Sequence, residues 1–91
     1  MGIIIYVLEV SNGVIIQFGI VRNVSCAATH TINFPTAYTC HYIGMTDMTG
    51  NLNNGVVLRF NPSSLTQFII GYDVPATSYC TVSKFWLSIG Y

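Results

Sequence analysis

The chain has 91 residues and a formal net charge of zero, with only 7% charged but 52% hydrophobic residues. A chain of this length is one small domain spanning residues 1–91. Arg22, Arg59 and Lys84 are its only fixed cations and form no stripe that could neutralise phosphates, which argues against a nucleic-acid partner, and the longest apolar run, residues 3–8, is far shorter than the ~20 residues of a spanning helix.

In chain order, residues 3–10 are β-branched and aromatic and predict a strand. No basic region precedes this run and no small-residue cleavage site follows it, so it is not read as a signal peptide. Met1-Gly2 opens directly onto the strand, as in a domain cut from a longer protein. Asn12-Gly13 supplies two residues tolerant of positive φ and predicts a hairpin. Residues 14–21 form the return strand, with Val14, Ile16, Phe18 and Ile20 on one face and Ile15, Gln17, Gly19 and Val21 on the other. Both faces are largely apolar, as in a strand covered on both sides. Gly19 is expected to mark a bulge or a close backbone approach.

Residues 22–28 read as a loop. Residues 29–34 alternate, with His30, Ile32 and Phe34 opposed to Thr29, Thr31 and Asn33, and Pro35 ends that strand because it has no N–H to donate. A strand is expected over 38–46, then a turn-rich segment over 47–55, dense in Asn and Gly. Short strands over 56–60 and 66–72 are separated by a turn at 61–64, and residues 73–78 form the next turn. The last strand covers 79–91, with Phe85, Leu87, Ile89 and Tyr91 on one face and Trp86, Ser88 and Gly90 on the other. No sustained helical period occurs. Short strands between turn signals predict an all-β fold, an antiparallel sandwich.

Chemistry is sparse. Cys26, Cys40 and Cys80 cannot all pair within one chain and lack metal-ligand spacing, so they read as free, partly buried thiols of a protein made in a reducing cytoplasm, with one disulfide as the minority alternative. His30 and His41 lie in neighbouring predicted strands near Cys26 and Cys40. Without an orienting carboxylate or an oxyanion turn they read as strand histidines, not as a thiol–imidazole pair or a metal site. Glu9, Asp47 and Asp73 are the only acids, which argues against a glycosidase with its paired carboxylates. No phosphate-binding glycine motif is present. No catalytic residue, metal or cofactor is expected.

Three segments carry a resemblance. Residues 12–19 (NGVIIQFG), 31–38 (TINFPTAY) and 85–91 (FWLSIGY) resemble, in order and separation, the opening hairpin, the F-P-x-A segment and the terminal W-x-S-I-G-Y strand of the C-terminal domain of gp53-like bacteriophage tail fibres. Phe18 stands where tryptophan is common, and the cysteines and the 47–55 segment have no counterpart in that pattern. The resemblance implies an all-β, homotrimeric knob at the distal tip of a phage or prophage tail fibre, contacting a host cell-surface glycan or protein such as lipopolysaccharide. A trimer would also absorb the apolar excess, because obligate interfaces resemble a core cut in half. The expected trimer interface takes Ile15, Phe18, Trp86, Leu87, Ile89 and Tyr91. The expected receptor contacts are Asp47, Thr49, Asn51, Asn53, Asn54, Tyr72 and Asp73, which lie in or beside predicted turns. The alternative function is a structural cap that registers three chains without touching the receptor. A depolymerase tip is a third reading, disfavoured by the scarcity of acids.

Overall fold

The computed structural model describes residues 2–9, 11–25, 28–50, 58–72 and 81–91, with side chains at all of these except 2–6, 8, 9, 11 and 50. Among the described residues seven strands are present: β1 (Gly2–Glu9), β2 (Ile15–Ser25), β3 (His30–Asn33), β4 (Tyr42–Gly50), β5 (Leu58–Pro62), β6 (Gln67–Tyr72) and β7 (Thr81–Gly90). They form two antiparallel sheets, one ordered β1-β2-β7-β4 and the other β3-β6-β5. The predicted all-β antiparallel architecture is therefore what the chain adopts.

The β1–β2 hairpin turns where Asn12-Gly13 predicts. Asn12 lies at φ 70°, ψ 23° and Gly13 at φ 78°, both in the left-handed region that these two residue types tolerate best. β2 does not stop at Val21. It runs on to Ser25, and the expected loop is replaced by a break in register between Val21 and Val24. Asn23, at φ 56°, absorbs that irregularity. The bulge is thus four residues beyond Gly19, which stays in unbroken register between Ile5 and Trp86.

β3 ends before Pro35, and its alternation is as predicted: Ile32 and Phe34 are buried while Thr31 and Asn33 are exposed. Other boundaries differ. Tyr38 precedes β4 and lies in the core instead of a strand, and β4 continues through Asp47 to Gly50. β5 extends to Pro62, tolerated there because β5 is an edge strand.

The core fills the space between the sheets. Trp86, Phe34, Tyr38, Phe68, Ile32, Ile70, Val21 and Val24 form its main cluster, and Met48 and Val82 a smaller one. Phe34 is its hub, with ring centroids 4.9 Å from Tyr38, 4.9 Å from Tyr42 and 5.0 Å from Phe68. The Tyr38 and Tyr42 rings meet it edge to face and the Phe68 ring is tilted at 32°, and such aromatic packing adds stability beyond area burial alone.

Side-chain hydrogen bonds tie the three sequence segments together. The carboxamide of the fully buried Gln17 donates to the carbonyl of Thr36 at 2.9 Å and accepts from the Thr36 N–H at 3.0 Å, copying one rung of a β-ladder. The Tyr38 hydroxyl donates to Ser88 Oγ at 2.9 Å, and Ser88 Oγ donates to the Ile43 carbonyl at 3.1 Å. Each bond satisfies polar groups that burial would otherwise strand. The end of the chain is held in the same manner. The Tyr91 carbonyl accepts from the N–H groups of Thr39, Cys40 and His41, and the Tyr91 N–H donates to the His41 carbonyl at 3.0 Å.

Candidate functional site

The site follows from the pleat of β7. Its inward residues Val82, Lys84, Trp86, Ser88 and Gly90 are buried, and its outward residues Phe85, Leu87 and Ile89 are each about 40% exposed. Cross-strand register then builds apolar rows over three strands. Ile16, Ile89 and Ile43 are in one row; Phe18, Leu87 and Met45 in the next; Ile20, Phe85 and Asp47 in the third. Ile43 is 71% and Met45 64% exposed. Eight of these nine side chains are apolar, and no element among the described residues covers them. A contiguous apolar patch on a sheet face marks an interaction surface.

The face changes character toward one end. Beyond the Asp47 row it carries Thr49 opposite Ser83, with exposed Arg22 at the end of β2's outward series. β4 ends there at Gly50, β6 ends at Tyr72, and β5 and β7 begin at Leu58 and Thr81. The connections over 51–57 and 73–80 therefore leave from and return to this end. At the opposite end an open apolar groove of about 290 Å³ is lined by Val14, His41, Tyr42, Ile43, Ile89, Gly90 and Tyr91. The His41 and Tyr91 rings meet edge to face across it at 5.9 Å.

The expected interface residues divide. Phe18, Leu87 and Ile89 lie on the outward face, and Tyr91 is half exposed beside the groove. Trp86 does not belong with them: it is 1% exposed, and its ring packs on Phe68 and Phe34 inside the chain's own core. Ile15 likewise packs against the inner cluster. Pleat parity decides both cases, since each sits one residue out of step with the outward set. Ile43 and Met45, the most exposed large apolar side chains, were not expected there. Their alternation with Gly44 and Thr46 on β4 is the signal that marks them.

The expected receptor residues do not form one cluster. Asp47 is in the body of β4, where its carboxylate accepts from the Met48 N–H at 2.8 Å, and Thr49 lies two residues on along the same face. Tyr72 ends β6 and packs against Met48 and Val82, on the inner side. Asn51, Asn53, Asn54 and Asp73 lie outside the described residues, as do Cys26 and Cys80. Cys40 is exposed, not partly buried as expected.

The two histidines are far apart in role. His41 faces the groove, whereas His30 on β3 faces Lys84 on β7. Lys84 is the polar residue that sequence reasoning missed. It shares the parity of Trp86 and is 0% exposed. Its ammonium donates to the Ala28 carbonyl at 2.7 Å and lies 3.2 Å from His30 Nε2. Burial lowers the Lys84 pKa below the ordinary lysine range; the His30 pKa is also lowered, first by burial and then by the adjacent ammonium. Among the described residues no group of three His, Cys, Asp or Glu side chains could hold a metal ion.

Comparison with known proteins places this arrangement. The fold matches an N-truncated R2-type pyocin tail fibre with a TM-score of 0.68 at 18% identity, over 100% of this chain and 39% of that one. It matches the C-terminal part of the Pseudomonas aeruginosa R2 pyocin fibre with a TM-score of 0.66 at 18% identity, over 96% of this chain and 26% of that one. The chain thus corresponds to well under half the length of either fibre, and at this identity the likeness is one of fold. No curated protein sequence matches it. The model of the family described as putative tail fiber protein gp53-like, C-terminal, matches residues 9–91, which takes in every strand from β2 to β7. Over that span the chain belongs to the family of gp53-like tail fibre C-terminal domains.

Proposed function

We propose that this domain is the non-catalytic distal tip of a virion tail fibre. Three copies associate through the outward face of β2, β7 and β4, and the end bearing the long connections meets a host-surface glycan or protein such as lipopolysaccharide. The observation that carries the reading is the apolar outward face on which Phe18, Ile43, Met45, Phe85, Leu87 and Ile89 are exposed and Ile16 and Ile20 partly so, in a chain of a tail fibre family. A soluble domain gains by burying such a surface, at about 25 cal/mol per Å² removed from water. Three sheets set around one axis would bury all three faces together. Asp47, Thr49, Asn51, Asn53, Asn54, Tyr72 and Asp73 remain the proposed receptor contacts, with Asp47 and Thr49 at the polar limit of the same face.

Solution mass tests assembly. The expected result is three times the 10.0 kDa chain mass, reduced to one chain mass by Leu87→Asp. A wild-type protein that stays at one chain mass at high concentration would overturn the reading. Adsorption to host cells tests recognition: Asn51→Ala with Asn53→Ala is expected to weaken it, and unchanged adsorption removes that segment from the proposal.

One observation favours the second reading, a cap that only registers the chains. Asp47 is a strand residue on the apolar face rather than part of a turn. Exchange of segments 51–57 and 73–80 between fibres separates the two: the cap reading expects host range to stay unchanged.

A further inference from the structure

We infer that Lys84 and His30 form an acid-sensitive latch between the two sheets. Lys84 projects from β7 into the interior and touches β3 and the residues leading into it. It is the only lysine in the chain and is 0% exposed. No carboxylate pairs with it among the described residues. Its ammonium has donors only, so at 3.2 Å His30 Nε2 must accept, which places the imidazole proton on Nδ1. The second acceptor is the Ala28 carbonyl, and the Ala28 N–H in turn donates to the Ser25 carbonyl at 3.2 Å. One ammonium thus fixes the point where the chain passes from β2 in one sheet to β3 in the other.

This joint works only with a neutral imidazole. Protonation removes the acceptor and sets two like charges 3.2 Å apart, the ammonium buried and the imidazole half-buried. Among the described side chains no acid faces this pair. On β2 the inward residues are Val21 and Val24, while Arg22 is exposed; on β4 Met48 faces in while Asp47 is exposed; on β5 Arg59 is exposed. On β6 the neighbouring residue is Ile70, and the Tyr72 phenol packs against Met48 and Val82. Folding therefore favours neutral His30, and the unfolded chain takes up the proton first. The resulting stability is complete above the ordinary histidine pKa of about 6.5 and is lost as pH falls from there through the lower folded value.

The test compares wild type, His30→Gln and Lys84→Met by urea unfolding from pH 8 to pH 5 at fixed protein concentration, with an NMR titration of the His30 ring. Glutamine offers an uncharged acceptor to Lys84. The folding equilibrium constant of wild type is expected to fall relative to H30Q by up to about tenfold per pH unit, the limit for one proton. The His30 midpoint is expected below 6.5 in wild type and to rise in K84M. Parallel pH profiles for wild type and H30Q, or a His30 midpoint at or above 6.5, would overturn the latch. Should K84M fail to fold, the H30Q comparison decides alone. Asp73 lies outside the described residues, so the comparison is repeated with D73N. A wild-type-to-H30Q difference that vanishes there overturns the two-group account.

Discussion

Replacing Gln17 with methionine keeps the side chain's length and removes its carboxamide. Thr36 then loses the donor to its carbonyl at 2.9 Å and the acceptor of its N–H at 3.0 Å, the two bonds that hold the Phe34–Tyr38 crossover against β2. An unmet backbone group costs about 1–3 kcal/mol when buried. Thr36 is only half-buried, and water will recover part of that, so the two groups together should cost about 2–3 kcal/mol. That is a large share of the roughly 5–14 kcal/mol available to a domain of this size. At about 4–8 °C per kcal/mol the melting temperature should fall by roughly 10–20 °C. Gln17→Glu sharpens the test. At neutral pH its carboxylate still accepts from the Thr36 N–H but faces the Thr36 carbonyl with no proton to donate, so it should be worse than methionine. In acid the carboxyl becomes a donor and the rung re-forms. Burial and the carbonyl both raise its folded pKa above the ordinary ~4.3, so its contribution is complete below that value and is lost as pH rises through the folded one. Urea melts of the three proteins at pH 4 and pH 7, at one protein concentration, read this directly. A Q17M stability within about 0.5 kcal/mol of wild type, or no acid recovery of Q17E relative to wild type, would refute the reasoning.

Tyr38→Phe deletes the bond to Ser88 while keeping the ring stack, and should cost about 1 kcal/mol in the same melts. Gly90→Ala places a methyl group against the His41 carbonyl and the Tyr42 backbone, which cannot swing aside, so about 3 kcal/mol or outright misfolding is expected by circular dichroism. Gly44→Ala meets first the tip of the Phe60 ring, side-chain atoms that give more readily than backbone, so it should cost less than Gly90→Ala in a paired thermal melt. Deleting Tyr91 removes the carbonyl that gathers the Thr39, Cys40 and His41 N–H groups, and amide exchange at those three positions should accelerate at least tenfold by NMR.

Much of the fold is legible from local pattern. The alternation in β7 separates Trp86 and Ser88 from Leu87 and Ile89, and Asn12-Gly13 and Pro35 punctuate the chain where they stand. Where reading fails, a long-range partner has overruled a local signal. Asp47-Met48-Thr49-Gly50 has the composition of a turn, yet β7 pairs with all four residues because Met48 fills a core position. Residues 22–25 look like a loop, but Val24 returns to the core once Asn23 has taken up the extra residue. The aromatic Tyr38 suggests a strand, but its ring and hydroxyl are held by Phe34 and Ser88 from different elements. For the candidate site, parity shows which residues of β7 travel together. It cannot show which set the second sheet covers, and that misassigned Trp86 to an interface. Lys84 went unread for the opposite reason: a lone lysine suggests solvent, although its parity with Trp86 places it inside.

The rung between Gln17 and residue 36 also bears on variation within the F-P-x-A segment. Gln17 engages the Thr36 main chain and never its side chain, so the position written x is free to change while the glutamine is not. Relatives could diversify the outer surface of this crossover without loosening its hold on β2, and a saturation library at Thr36 should return mostly folded protein where one at Gln17 should not.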